Sequence, residues 1–130
     1  MADTIRLEVT ATPAALPVVR MVLGGVAARV DLSLDEIGDL YVAIEELLCA
    51  AEDSGEDPRH ELTIEVADDG VTVNAGPFRS PALRARLTGR ERAGEFDLQT
   101  VMRGVVQSVQ VCPEPDDCFS VVFAKRRGGS

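Results

Sequence analysis

Apolar and polar positions alternate at the start of the chain. Ile5, Leu7 and Val9 are separated by Arg6 and Glu8, a period of two that predicts a half-buried strand over residues 4–10. The period then lengthens to that of a helix. Val18, Val19, Val22, Val26 and Val30, with Met21 and Leu23 beside them, predict a helix from residue 13 or 14 to residue 30. Pro17 must lie near its first turn, where a missing N–H is best tolerated. The Gly24-Gly25 pair weakens this helix and permits close packing. The clearest helix covers residues 32–51. Ser33 and Glu36 have capping-box spacing, and Leu32 and Ile37 stand where a hydrophobic staple would close. Ile37, Leu40, Tyr41, Ile44, Leu47, Leu48 and Ala51 form one broad apolar face. Beside it, Asp39, Ala43, Glu46 and Ala50 follow one another by steps of four, three and four and so share a side. Glu46 is close to the apolar stripe, where an inward-facing carboxylate would be costly without a partner or a task.

After a polar run over 52–59, Leu62, Ile64 and Val66 mark a second strand over 61–67. Asp69-Gly70 is a strong hairpin turn, and 71–75 returns as a third strand that Gly76-Pro77 ends. Residues 78–94 carry Arg79, Arg84, Arg86, Arg90 and Arg92 with little periodicity, and read as the most loop-like part of the chain. Ser80-Pro81 can start a short helix there. Leu98, Val101, Met102 and Val105 predict a helix from Asp97 to about Gln107. Strands over 109–112 and 119–124 close the chain as a hairpin, followed by a basic tail, Lys125-Arg126-Arg127. This order argues for one domain, an α/β two-layer sandwich with a mixed, mostly antiparallel sheet and helices on one face.

Composition narrows the function. At 130 residues the chain is long enough for a real core, and with 4% aromatics and no Trp that core is aliphatic. The net charge of −9 argues against direct binding to a nucleic-acid backbone. There is no apolar run of membrane-span length and no signal peptide in the opening residues, which points to the cytoplasm and away from a membrane. Three cysteines, an odd number, fit a reducing compartment. Cys112 and Cys118 could face each other across the last hairpin, although that compartment disfavours a disulfide. His60 reads as a loop residue, and two cysteines with one distant histidine make no zinc site. No Ser-His-Asp or Cys-His arrangement has supporting context.

The run Leu40-Tyr41-Val42-Ala43-Ile44-Glu45-Glu46-Leu47-Leu48-Cys49-Ala50 resembles the N-box helix of the anti-sigma-factor/serine-protein-kinase family. That family belongs to the GHKL-type ATPases, with gyrase and the histidine kinases, and its helix usually reads like L-x-L-A-V-D-E-A-x-x-N. The element order matches as well, from about residue 5 to residue 125, and implies a histidine-kinase-like (Bergerat-type) ATPase fold. By this resemblance Glu46 stands where the family's Glu orients chemistry at the γ-phosphate. Ala50 stands at the Mg²⁺-holding Asn, and a methyl group cannot ligate magnesium. Asn74-Ala75-Gly76 matches an Asp-x-Gly whose Asp reads the adenine amino group. Asn74 can accept that hydrogen bond without the charge that strengthens it, and Gly76 is kept. The rival match, Asp68-Asp69-Gly70, is better explained as the hairpin turn. Gly94 to Leu98 matches a Gly-rich phosphate loop. Gly94 is its surviving glycine, and Asp97, a good N-cap, places a carboxylate where a phosphate would lie.

The resemblance therefore implies an anti-sigma-factor-like regulator of transcription in a stress response, with a decayed ATP site and either no cofactor or weakly held ATP/Mg. Its implied partners are an alternative sigma factor, an anti-anti-sigma (STAS-type) protein, and a second copy in a homodimer near Leu7 and residues 18–22. The alternative is an active serine protein kinase that phosphorylates the antagonist, which requires positioned metal and phosphate contacts. A third reading is an ATP-binding regulator of an unrelated pathway on the same fold. Apart from the resemblance, Glu46 is a helix-surface carboxylate, solvated or paired with a loop arginine. The arginine-rich stretch is a lid, an interaction surface or a solvated segment.

Overall fold

A computed structural model of the chain describes residues 3–10, 14–89 and 97–128. Its elements in order are β1 (Asp3–Thr10), α1 (Leu16–Val30), α2 (Leu34–Asp53), β2 (Arg59–Ala67), β3 (Gly70–Phe78), α3 (Pro81–Leu87), α4 (Leu98–Val105), β4 (Gln107–Glu114) and β5 (Cys118–Arg126). The strands form one open sheet in the order β1-β2-β3-β5-β4. Every neighbouring pair is antiparallel, which corrects the mixed sheet expected above. The reason lies in the connections. Two helices join β1 to β2, one carrying the chain away and the other back, so β2 starts beside the end of β1, with Thr10 opposite Arg59. β4 runs in the same direction as β3, but β5 inserts between them.

One face of the sheet is covered and the other is solvated, as antiparallel sheets allow. Leu62, Ile64, Val71, Val73, Ala75, Val121 and Phe123 join one buried cluster with Val19, Leu23 and Val26 of α1 and with the apolar face of α2. Arg6, Glu8, Glu61, Glu65 and Asn74, at the alternate positions, are exposed. Ile37, Leu40, Ile44, Leu47 and Leu48 are all buried, so the amphipathic face of α2 meets the sheet as its spacing predicts. Each such aliphatic side chain contributes about 1.5–3 kcal/mol by leaving water. The capping box is complete: Glu36 N donates to Ser33 Oγ at 3.1 Å, and Ser33 N donates to Glu36 Oε1 at 2.8 Å. Pro17 lies in the first turn of α1. Among the described residues, no helix is long and apolar enough to cross a membrane.

Several expectations shift. His60 lies within β2, not in a loop, and is only 4% exposed. Its ring leans on Phe78 with centroids 5.7 Å apart, and its Nε2 is buried without a hydrogen-bond partner. β3 continues through Gly76 and Pro77 to Phe78, with a shift of register after Ala75. Part of the arginine-rich stretch is helical as α3, where Ser80 caps by accepting from Leu83 N at 3.2 Å. The last helix ends at Val105, because Gln107 already pairs with β5. Cys112 lies opposite Ser120 and Cys118 opposite Glu114, so the two thiols are diagonal, and both are free.

Lys125 and Arg126 of the expected basic tail belong to β5. Lys125 continues the inward series Phe119, Val121, Phe123, and its side chain is 9% exposed. Its Nζ donates to Asp39 Oδ2 and to the Val105 carbonyl oxygen, both at 2.9 Å, joining β5, α2 and the end of α4. Lys125→Met would leave a carbonyl and a half-exposed carboxylate without their donor. We expect a loss of about 1–3 kcal/mol in urea unfolding.

His60 generates a pH dependence. Burial pushes its imidazole below the ordinary 6.5, opposed by the weaker pull of Glu56, Asp57 and Glu52. The folded chain thus keeps the ring neutral at pH values where the unfolded chain has already taken up a proton. This contribution is complete above 6.5 and is lost as pH falls from there through the depressed folded value. Urea midpoints measured from pH 7.5 down to 5 should fall more steeply for the native chain than for His60→Leu.

Candidate functional site

The helices α2 and α4 pack directly on each other. Asp39 is tied to α4 through Lys125. Ala43 and Ala50 are buried, the latter 3% exposed. Glu46 is exposed, and among the described residues it makes no hydrogen bond or ion pair.

The other candidate positions are dispersed. Asn74 is on the solvated face of the sheet, opposite to α2, and the side chain turned inward at that point is the methyl group of Ala75. Gly76 is held by packing. Its φ is +135°, and a Cβ there would stand 3.1 Å from the Phe119 carbonyl oxygen and the Ser120 Cα. That conformation and that space both call for glycine. Gly94 lies outside the described residues, as do Arg90 and Arg92. Asp97 is buried and caps α4, accepting from Thr100 N at 2.9 Å. The structure thus groups Glu46 and Ala50 on α2, with Asp97 at the start of the helix packed on α2. It does not bring Asn74 to them.

Among the described residues, Glu46, Ala50, Asn74 and Asp97 line none of four surface clefts. Gly76 borders a cleft of about 330 Å³ with His60, Pro77 and Glu8. Among the described residues, no group of three or more His, Cys, Asp or Glu side chains is placed to hold a metal ion. The α4 start already has a carboxylate at its free N–H groups, which is the position an external anion would take. No known family model matches the chain, and no curated protein matches it.

Two polar features escaped the sequence reading. For Lys125 a signal existed, since the alternation of Phe119, Val121 and Phe123 extends to it on the inward face, but the Lys-Arg-Arg run reads as a tail. For Glu56 none existed. Its Oε2 accepts from Arg79 N at 2.6 Å and from Ser80 N at 2.5 Å, so the loop after α2 braces the start of α3. A contact across more than twenty residues leaves no periodic trace. Arg84 lies over the Phe119 ring, 5.1 Å from its centroid.

Restoring the family's side chains should not restore a site. Ala50→Asn places an amide where 3% exposure leaves no water to solvate it. Combined with Asp97→Gly, which removes a cap, it should lower stability by about 2–4 kcal/mol. Calorimetry with Mg-ATP should show no binding tighter than about 1 mM, an affinity worth about 4 kcal/mol, for the native chain or for the double variant.

Proposed function

We propose that the chain is an anti-sigma-factor-like regulator that works by binding proteins and does not turn over nucleotide. The reading joins the N-box resemblance of residues 40–50 to the element order, a sheet with α1 and α2 inserted after β1 and α3 and α4 after β3. The observation that carries the non-enzymatic half is Ala50. By the resemblance it stands at the magnesium-holding position, and it is 3% exposed on a helix that packs on α4. Phosphoryl transfer is almost entirely positioning and charge stabilisation by metal and phosphate contacts. Glu46 alone, exposed and without a metal-holding neighbour, supplies neither.

On this reading the partners are an alternative sigma factor and its STAS-type antagonist. Self-association uses β1 and α1, near Leu7 and residues 18–22, with β1 at the edge of the sheet among the described residues. Purified alternative sigma factors from the source organism, mixed with the chain, should co-elute with it in size exclusion without added nucleotide. The STAS-type protein should displace them. Sedimentation at tens of micromolar protein should give twice the 13.9 kDa of the chain. Absence of any sigma complex overturns the reading. Phosphoserine appearing on the antagonist with Mg-ATP replaces it with the kinase.

A further inference from the structure

A cleft of about 680 Å³ lies between α3 and the β4–β5 hairpin. That volume falls in the range of about 300–1,000 Å³ usual for small-molecule sites. Part of its lining is apolar: Ala85 and Val111 are half-buried, and Val111 packs on the core from β4. Two cations, Arg79 and Arg84, line the same space. Solvated arginines are ordinary on a surface. These two differ in sharing one concavity with an apolar wall, and neither has a carboxylate partner among the described residues. Acidic side chains outnumber basic ones by 22 to 13 in this chain, so the lack of a partner is not for want of supply.

Arg84 is held in place. Its guanidinium lies over the Phe119 ring, 5.1 Å from the centroid, and Phe119 is 1% exposed, so the ring is a fixed platform. A cation held by a ring face keeps its N–H donors for other partners. Ser80 also lines the cleft; its Oγ accepts from Leu83 N at 3.2 Å and still has its O–H to donate. The backbone N–H groups of Arg79 and Ser80 are already given to Glu56. The donors on offer are therefore side chains, not the start of the short α3.

The charge of the lining selects the ligand. Arg79 and Arg84 supply two positive charges, and Asp117 of the hairpin turn supplies one negative charge. The remainder, a single positive charge, matches a monoanion. A carboxylate fits a guanidinium fork through two parallel N–H···O bonds. A dianion would keep uncompensated charge beside Asp117, in a chain of net charge −9.

We propose that this cleft binds a monocarboxylate carried on an apolar body. Arg84 and Arg79 hold the carboxylate, and Val111 and Ala85 cover the hydrocarbon. Glu46, Ala50, Asn74 and Asp97 do not line the cleft, and the inference does not rest on the anti-sigma reading.

The test is calorimetry on the full chain with naphthoate. At about 0.15 M salt it should give a dissociation constant tighter than about 1 mM. Naphthylmethanol, a similar body without the charge, should bind at least about tenfold more weakly. Arg84→Gln and Arg79→Gln should each weaken naphthoate about tenfold, and Arg84→Lys, which keeps the charge and loses the fork, about fivefold. Both arginines are exposed, so these variants should keep the urea midpoint of the native chain. Arg103→Gln makes the same charge change on α4 outside the cleft and should alter binding less than about twofold. Asp117 has a φ of 61°, a conformation that asparagine tolerates. Asp117→Asn should strengthen naphthoate and admit phenyl phosphate, which the native chain should hold more weakly than naphthoate. An acylated dipeptide ending in a free phenylalanine carboxylate separates the sources. Tighter binding than naphthoate assigns the site to a protein C-terminus, and weaker binding to a free organic acid; both uphold the monocarboxylate. Absence of naphthoate binding overturns the inference. So do equal affinities for the acid and the alcohol, or equal losses for Arg84→Gln and Arg103→Gln.

Discussion

Direct packing of α2 on α4, latched by Lys125, is the constraint on which the rest of the architecture depends. A lysine side chain with 9% exposure needs partners for its charge, and it finds them in Asp39 of α2 and the last carbonyl of α4. The arrangement fixes the end of α4 against the front half of α2 and, through β5, sets both helices on the centre of the sheet. It also decides what α2 can offer chemically. Ala43 and Ala50 of α2 are both buried and carry only methyl groups.

Much of the architecture was legible because it follows from period. The helix of residues 34–53 has an apolar stripe, a capping box and no competing pattern, and it formed where its spacing placed it. The outer strand of residues 3–10 and the hairpin at Asp69-Gly70 did so as well. Strand direction was not legible to the same degree. Neighbour relations depend on how many helices a connection contains and where they end, and an error of one helix reverses a strand. The short helix after Ser80-Pro81 was visible only as a cap, since seven residues carry too few apolar repeats to show a period. His60 was misplaced because one polar residue at the start of a strand looks like the end of a loop.

The site was less legible than the fold for a different reason. Motif matching counts positions along the chain, whereas a pocket is built from faces. Asn74 and Ala75 are adjacent in sequence and point to opposite sides of the sheet. Matching a motif to the first of them therefore names a residue in solvent. Glu46 was placed on the correct helix and near its apolar stripe, but a rotation of one residue around a helix separates Leu47, fully buried, from an exposed carboxylate. Asp97 was the exception: its role as a cap could be read directly, because capping is local.

Gly76 shows how a glycine can be required without a ligand. The backbone of β5 passes so close, and the local dihedral is so unusual for a side chain, that the packing alone calls for glycine there. Any selection for a well-formed sheet would preserve it, whether or not a ligand ever visits. Structural necessity of this kind works as camouflage. A glycine that packing alone requires can match a motif by position, so its presence is weak testimony to a binding site.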